Sequence, residues 1–381
     1  MRIAILTLPL HTNYGGILQS YALQKVLQGM GHEVQVIDNV CPLKIKGRDV
    51  LKNAYVRLVD IVKGRERKKA VNFYAYLRQK LSIRSSIARF IREYIDFTPE
   101  KYDMAEVLED FPENDFDIFI VGSDQVWRTL YVSCIDNYFL SFLKHEKVKR
   151  IAYSASFGVD YDEYTSEQIK ICGQYFTLFD AVSVREDSGL ALIEDYQWKC
   201  KTKCLQTLDP TLLLTADDYI DLLQLNVKAK DMTLCAYILD VCIDIEHICD
   251  QLARTRKLKT NRINLVDEAK FSIKQTLTPS QWLEHIAASQ FVVTDSFHGC
   301  VFSILFHKPF IVFVNPMRGN ARMISLLRLL QLEDRLVSSY NDFGERKVSL
   351  LNDIDYQKVD LILKRNRFSS LKFLDDSINI K

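Results

Sequence analysis

The segment with the clearest chemical potential joins a predicted strand to an apolar predicted helix and has the sequence Thr294-Asp295-Ser296-Phe297-His298-Gly299. At a helix N-terminus, the positive end of the helix dipole favours the neutral form of His298. Ser296 and the free N–H groups around Phe297 and Gly299 can hold an anion beside that ring. Alternatively, Asp295 or Ser296 only caps the helix and His298 is half-buried.

Two further polar side chains follow predicted strands. Asp124, after Gly122-Ser123, can orient a hydroxyl or accept a proton. Arg185 can bind a carboxylate or a phosphate through two parallel N–H···O hydrogen bonds. Polar groups at the carboxyl ends of parallel strands line the ligand cleft of α/β folds. The alternatives are that Ser123 or Asp124 caps a helix, and that Arg185 pairs with a neighbouring carboxylate.

Two loops are candidates to complete such a cleft. The first is Asn13-Tyr14-Gly15-Gly16, whose glycines let the backbone approach a ligand at a helix N-terminus. It lacks the G-x-G-x-x-G pattern of dinucleotide sites, so a plain tight turn is the alternative. The second loop, 315–322, carries Arg318 and Arg322 as cations that lie near the cleft edge or simply in solvent.

These residues need alternating strands and helices to position them. In the first half of the chain, apolar runs predict strands at 2–8, 33–38, 116–121, 150–154 and 181–184. Apolar residues at helical spacing predict helices over 17–30 and 164–176. Such β-α-β units build a parallel sheet.

The same alternation restarts after 198–208, which predicts a second domain. Strands are predicted at 233–239, 262–266, 291–294 and 310–314. Helices are predicted at 244–255, 279–288, 297–306 and 321–332, and Thr278-Pro279-Ser280-Gln281 is a capping box. We therefore predict two Rossmann-like domains, 1–198 and 199–345, and a C-terminal segment, 346–381, whose helix packs back on the first domain.

The composition fits a two-domain globular protein. The chain has 381 residues, of which 48% are hydrophobic and 26% charged, which excludes a disordered, fibrous or disulfide-stapled chain. The net charge of +1 argues against binding nucleic acid over the whole surface. However, residues 44–92 carry 15 basic and 3 acidic side chains, and residues 93–117 carry 10 acidic ones. We predict a basic helical insertion over 44–95.

The cysteines and the first residues indicate the compartment. Nine cysteines form no regular framework, so buried reduced thiols are expected. Cys200 and Cys204 alone are a weak zinc signal, and we predict no metal site. The apolar run after Met1 is short and lacks a small-residue cleavage site, which favours a first strand over a signal peptide. No run reaches the ~20 apolar residues of a membrane span, so a cytoplasmic protein is expected.

Taken together, the ordered motifs resemble the polysaccharide pyruvyl transferase family over about residues 1–335. The matching stretches are 13–19, 121–127, 153–158, 183–186, Asp209-Pro210-Thr211-Leu212-Leu213 and 294–299, which continues into 302–304 and 308–310. No single stretch is decisive, but the ordered set is specific. Cys300 stands where the family often has Thr, and Asn320 where Ser is frequent. Neither replaces an expected catalytic group.

The resemblance implies the two-domain GT-B architecture of glycosyltransferases, with the acceptor on the first domain and the donor on the second. It implies phosphoenolpyruvate as donor substrate, no cofactor, a sugar diol as acceptor, and a pyruvate ketal and phosphate as products. His298 is then a general acid or base, or a phosphate ligand. Arg185 binds the donor's carboxylate or phosphate, and Asp124 binds or deprotonates the acceptor.

The other motif residues are expected to bind substrate. Asn13 and Gly15 are assigned to the acceptor side, and Gly16 is a further substrate contact. The remaining expected substrate contacts are Ser123, Ser296, Phe297, Gly299, Arg318 and Arg322. Among them, Arg322 is a weaker candidate for binding the donor.

Two other functions stay open from the sequence. One is a nucleotide-sugar-dependent glycosyltransferase on the same fold, and the other is a catalytically silent glycan-binding protein. An acceptor built on polyprenyl pyrophosphate would place the enzyme at the inner membrane face. The basic segment 44–92 would then contact anionic lipid or the pyrophosphate. The alternative is a solvated helical pair neutralised by the acidic run 93–117.

Overall fold

The computed structural model describes residues 1–40, 87–106, 108, 111–145, 147–227, 232–263 and 277–380. Within these residues the chain forms two parallel β-sheets with helices around them, as the alternating pattern predicts. Most of the predicted insertion, 44–95, lies outside the described residues, and so does most of the basic segment 44–92. The described end of the insertion is helical over 87–94.

The first sheet has seven strands in the described part of the chain, all paired in parallel in the order β3-β2-β1-β4-β5-β6-β7. Their bounds are β1 Arg2–Leu6, β2 Glu33–Asn39, β3 Phe97–Tyr102, β4 Ile118–Val121, β5 Lys149–Ala155, β6 Ala181–Val184 and β7 Leu205–Gln206. Strand β4 is fully buried, as its continuous apolar run requires in a sheet covered on both faces. Strand β7 lies beyond residue 198, where the sequence predicts the domain boundary.

The second sheet has five strands among the described residues, in the order β12-β11-β10-β8-β9, and is also parallel. Their bounds are β8 Thr233–Tyr237, β9 Lys259–Arg262, β10 Phe291–Thr294, β11 Phe310–Phe313 and β12 Leu336–Val337. The predicted start of β9 at residue 262 is wrong, because the parallel register pairs Leu234 with Thr260. Residues 264–266 of that prediction lie outside the described residues.

Helices cover both faces of the sheets. The α-helices are α1 Tyr14–Gly29, α2 87–94, α3 Ser166–Phe176, α4 Asp187–Asp195, α5 Ala216–Leu223, α6 Ile243–Arg256, α7 Pro279–Ala288, α8 Phe297–Leu305, α9 Ala321–Leu330, α10 Tyr340–Leu350 and α11 Tyr356–Asn379. Short 3₁₀ helices lie at Glu113–Asp115, Ile135–Phe139, Pro210–Leu212, Pro316–Arg318 and Glu333–Arg335. The predicted capping box at Thr278 and Gln281 is confirmed, with both reciprocal bonds present.

Helix α1 joins the two domains. Its Tyr14 is fully buried, and the phenol donates a hydrogen bond of 2.8 Å to the carbonyl of Leu277 in the second domain. The ring of Tyr14 stacks on that of Trp282, with centroids 5.4 Å apart. Because the stacked rings and the hydrogen bond are buried, they fix how the first loop faces the second sheet.

The C-terminal helix α11 lies against the first domain. The ring of Phe373 contacts that of Tyr153 on β5. The Lys149 ammonium donates to the carbonyl of Ile378 at 2.6 Å, and Leu208 N–H donates to Ser370 Oγ at 3.0 Å. The chain therefore returns from the second domain to the sheet on which it began.

The Tyr14 hydrogen bond gives a first test of the joint between domains. We expect Tyr14→Phe to lower the free energy of unfolding by about 1–3 kcal/mol, because the buried carbonyl of Leu277 loses its donor. Urea unfolding measures the change. Tyr161→Phe is the matched control, since Tyr161 is 56% exposed. This substitution should change the free energy of unfolding by less than about 0.5 kcal/mol. Equal effects of the two variants would contradict this role of Tyr14.

Candidate active site

A cavity of about 940 Å³ lies between the two domains. Its walls are loops that follow β1, β4, β8, β10 and β11, so it lies where the carboxyl ends of both sheets face each other. Open parallel sheets bind ligands at this edge. The cleft predicted from the sequence is therefore present.

The cavity brings together most of the residues that the sequence singles out. Eight of them line it, namely Asn13, Gly16, Asp124, Ser296, Phe297, His298, Arg318 and Arg322. The other four, Gly15, Ser123, Arg185 and Gly299, lie behind the wall. Of these, Ser123 is fully buried, and its hydroxyl donates to the carbonyl of Ser154 at 2.7 Å.

His298 occupies the first turn of α8 and is only 5% exposed. Ser296 is the N-cap, and its hydroxyl accepts from Gly299 N–H at 3.4 Å. Asp295 does not cap the helix. Its carboxylate instead accepts from the N–H groups of Leu239 and Asp240 at 2.6 and 2.9 Å, which ties β10 to the loop after β8.

The first glycine loop fits against this histidine. A Cβ built on Gly15 would overlap the imidazole of His298, whereas a Cβ on Gly16 would meet the Asn13 amide and the Asp124 carboxylate. The N-termini of α1 and α8 therefore approach each other across the domain boundary. Glycine at position 15 is a steric requirement for this approach, not only a turn residue.

Asp209 is the functional candidate that the sequence analysis did not select. It is fully buried, and its Oδ2 lies 2.7 Å from Arg185 Nη1 and 3.6 Å from His298 Nε2. Although burial opposes ionisation, His298 and Arg185 hold the pKa of the Asp209 carboxyl well below its usual range. Its sequence signal is the Asp-Pro step after β7, which belongs to one of the stretches that resemble the family but also has the pattern of an ordinary N-cap.

Two guanidinium groups lie on the ring of Phe297. The Cζ atoms of Arg185 and Arg322 are 4.6 and 5.5 Å from its centroid. Both groups also approach Asp124 Oδ1, at 3.5 and 3.7 Å. Burial and the nearby charge of Arg185 lower the pKa of Arg322 to about 10. The corner of the cavity lined by His298 and Arg322, with Arg185 behind it, is called the cationic corner below.

Polar atoms at the cationic corner are left for a ligand. Among the residues that the structure describes, His298 Nε2 and Arg322 Nε are buried and have no hydrogen-bond partner, and both residues line the cavity. An unpaired buried polar atom costs free energy unless a ligand satisfies it. Because a guanidinium is a cation that only donates, an anion is the ligand that suits this corner.

Glu186 supports the corner from behind. Its Oε1 accepts hydrogen bonds of 2.8–2.9 Å from Ser156 Oγ and from the N–H groups of Phe157 and Gly158. Its Oε2 lies 3.9 Å from Arg185 Nε. The motif after β5 therefore fixes a buried carboxylate, and this carboxylate helps to hold Arg185 in place.

Within the described ranges, no group of three or more His, Cys, Asp or Glu residues could hold a metal ion. The thiols of Cys200 and Cys204 lie 3.6 Å apart outside the cavity. In the same residues, no helix is long and apolar enough to cross a bilayer.

Two facing parallel sheets with a cavity between their carboxyl ends define a GT-B-like fold. One similar solved structure is S. aureus MnaA with UDP, at 11% identity, covering 98% of this chain and 95% of that chain with a TM-score of 0.52. Another, described as a UDP-N-acetylglucosamine 2-epimerase from Listeria monocytogenes, has 9% identity, coverage of 98% and 94%, and a TM-score of 0.52. At such identities the likeness shows the fold alone. No curated protein sequence matches significantly.

The family model for polysaccharide pyruvyl transferase matches residues 13–316. This span is well over half of the chain, and the protein therefore belongs to the polysaccharide pyruvyl transferase family. The resemblance inferred from the motifs is confirmed. The matched span includes Asp124, Arg185, Asp209 and His298 but ends before Arg322.

The contact between Gly15 and His298 gives a second test. We expect Gly15→Ala to cost about 1–3 kcal/mol of stability, because the new methyl group overpacks the imidazole. Gly29→Ala, on the same helix, is the control, since a Cβ there meets nothing within 4 Å. The control should stabilise the protein by about 0.5–1 kcal/mol. Urea unfolding of both variants measures these changes. An unfolding free energy of Gly15→Ala equal to that of the wild type would contradict the contact between Gly15 and His298.

The buried Asp209 carboxylate gives a pH-dependent test. Its pKa in the folded protein is below the unfolded value of about 3.9, so its contribution is complete above about pH 4 and is lost as the pH falls further. We expect Asp209→Asn to cost about 3–5 kcal/mol at pH 7. Below about pH 4, the unfolding free energy of the Asp209→Asn protein should fall less steeply with decreasing pH than that of the wild type. The two slopes should differ by up to about 1.4 kcal/mol per pH unit.

Denaturant unfolding between pH 7 and pH 3 provides this measurement. Asp221→Asn is the control, because Asp221 lies exposed on α5. This substitution should leave the pH dependence of the unfolding free energy in acid unchanged. An Asp209→Asn protein with the wild-type slope in acid would show that Asp209 is not ionised in the folded state.

Proposed function

We propose that the protein transfers the enolpyruvyl group of phosphoenolpyruvate to a sugar diol of a polysaccharide or lipid-linked oligosaccharide. The products are a pyruvate ketal on the sugar and free phosphate. Family membership supports a transferase of polysaccharide synthesis. The observation that carries the donor assignment is the cationic corner, with its buried and unpartnered nitrogen atoms in the described part of the chain.

Phosphoenolpyruvate is a compact polyanion, and the cationic corner is suited to it. Arg322 and His298 both line the cavity, and Arg322 Nε has no hydrogen-bond partner among the described residues. Both side chains are therefore placed to contact a phosphate or carboxylate oxygen. Burial and repulsion from Arg185 lower the pKa of Arg322, and a bound anion would offset both effects. We assign donor binding to Arg322 and His298.

Arg185 has a different role from the one expected from the sequence. Its guanidinium lies behind Phe297 and is engaged by Asp209 at 2.7 Å, and it does not line the cavity. We propose that Arg185 is a positioning residue. It holds Asp124 and Asp209 in place and adds positive potential beneath the donor.

The reaction balances with two protons leaving the acceptor. A proton added to carbon 3 of the enol makes carbon 2 electrophilic, and the first sugar oxygen bonds there as its proton leaves. The second sugar oxygen then bonds to carbon 2, while the carbon–oxygen bond to phosphate breaks and the phosphate keeps the electron pair. The second hydroxyl proton neutralises one charge on the departing phosphate.

Position in the cavity suggests which residue moves which proton. His298 lies at the cationic corner, so we assign it to the donor, either at carbon 3 or at the departing phosphate. Asp124 faces the acceptor loop, with Oδ2 3.4 Å from Asn13 Nδ2. We assign Asp124 to accept the proton of the attacking hydroxyl.

The carrier of the acceptor stays a prediction from the sequence. A polyprenyl pyrophosphate link and contact of the basic segment 44–92 with anionic membranes both depend on residues that lie mostly outside the described ranges.

The donor assignment is tested by phosphate release from phosphoenolpyruvate in the presence of β-linked galactose and mannose acceptors. We expect His298→Ala to lower kcat/KM by about 10²–10⁴-fold. Arg322→Ala should raise the KM for phosphoenolpyruvate by about 10–100-fold, the worth of one charged hydrogen bond. The matched control is Arg328→Ala, on the same helix but 61% exposed at its side chain, with unchanged kinetics.

Two results would contradict the proposal. One is full activity of His298→Ala with the fold intact. The other is turnover of a nucleotide sugar by the wild-type protein while phosphoenolpyruvate is not consumed. Binding of glycans without turnover of either donor would instead identify a silent binding protein.

A further inference from the structure

Two cysteines lie next to each other at the edge of the first sheet, away from the cavity. Cys200 and Cys204 belong to the loop between α4 and β7, and their Sγ atoms are 3.6 Å apart. Both side chains pack against the apolar core of the first domain but are only half-buried. The expectation of buried thiols is therefore wrong for these two cysteines, which we call the thiol pair.

The sulfur atoms of the thiol pair are close enough for a bond to form between them. A disulfide has an S–S distance of about 2.0 Å, so the two atoms have to approach by about 1.5 Å. The three residues between the cysteines belong to no helix or strand. Side-chain rotation and a small adjustment of this loop can therefore close the gap.

The surroundings of Cys200 favour its thiolate form. A hydrogen bond from Cys204 lowers the pKa of the Cys200 thiol to about 7, although burial opposes this, and the pKa of Cys204 is raised in turn. Exposed lysines flank both cysteines, namely Lys199, Lys201 and Lys203. Asp180 pairs with Lys201 at 2.8 Å, and the loop stays positively charged. Because the thiolate is the nucleophile in disulfide exchange, Cys200 is suited to attack and Cys204 to resolve.

Strand β7 connects the thiol pair to the wall of the cavity. It begins at Leu205, directly after Cys204. The N–H of Thr207 then donates to the carbonyl of Val184 on β6 at 3.0 Å. Asp209, the buried carboxylate at the proposed active site, follows two residues later. A covalent bond at Cys204 would therefore constrain the edge strand that leads to this carboxylate.

We propose that Cys200 and Cys204 are a redox-active pair, which a small-molecule disulfide oxidises reversibly to an intramolecular disulfide that constrains β7. The Cys200 thiolate attacks one sulfur of the small-molecule disulfide, which releases one thiolate and leaves a mixed disulfide on Cys200. The Cys204 thiol loses its proton as its sulfur bonds to that of Cys200, and the second small thiolate leaves with the electron pair. The two cysteines are thereby oxidised, and the small-molecule disulfide is reduced to two thiols.

Exposure of the whole chain to glutathione disulfide, followed by peptide mass spectrometry, tests the exchange. We expect the wild-type protein to form a bond between Cys200 and Cys204 without retaining glutathione there, and dithiothreitol to reverse it. Cys204→Ser should instead keep glutathione on Cys200, because no second thiol displaces it.

Cys134 is a control within the same protein. It is also half-buried, but burial and the Asp136 carboxylate raise the pKa of its thiol to about 11. It should therefore react with glutathione disulfide at least about tenfold more slowly than Cys200.

Hydrogen exchange of the reduced and oxidised proteins measures the effect on β7. The peptide covering 205–209 should exchange more slowly after oxidation, because the cross-link restricts local opening next to the Thr207 N–H. The matched control is Cys204→Ser treated with the same glutathione disulfide. It carries glutathione but no cross-link, and exchange of this peptide should not slow.

Either of two results on the wild-type protein overturns the proposal, whatever the fate of the variant. One is a thiol pair that stays reduced, or keeps glutathione on Cys200, in excess glutathione disulfide. The other is unchanged exchange of the 205–209 peptide in a protein whose Cys200–Cys204 bond has formed. Neither result depends on the identity of the donor substrate.

Discussion

The structure depends on one buried carboxylate. Asp209 is buried. Its carboxylate contacts the guanidinium of Arg185 from the first domain and the imidazole of His298 from the second domain. Removing one partner of such a buried cluster leaves an uncompensated charge, which costs several kcal/mol. Asp209 therefore links the two domains electrostatically at the wall of the proposed active site.

Packing supports the same arrangement. Tyr14 and Gly15 are consecutive on α1, and they make the apolar and the close contact with the second domain, respectively. The N-termini of α1 and α8 consequently converge on the cavity, and their N–H groups and dipoles favour an anion there. The cationic corner adds full charges to this background.

Much of this could be predicted from the sequence, for physical reasons. Strands β6 and β10 are uninterrupted apolar runs followed by polar residues, and the predicted bounds of both are confirmed. Strand β3 was not predicted, because Pro99 and the charged residues after it suit only an edge strand. Among site residues, His298 and Arg322 line the cavity as expected, since both follow strand ends.

Other features depend on contacts between distant parts of the chain, which spacing does not reveal. Asp209 resembles a simple cap until the fold brings Arg185 and His298 to it. Arg185 follows a strand end, as a donor ligand would, yet Phe297 from the other domain covers it.

The most direct measurement is a crystal structure of the protein soaked with phosphoenolpyruvate. The account predicts phosphate or carboxylate oxygens within hydrogen-bond distance of Arg322 Nε and His298 Nε2, above Phe297. Density for the donor at another place in the cavity, or an empty cationic corner at saturating phosphoenolpyruvate, would contradict the account.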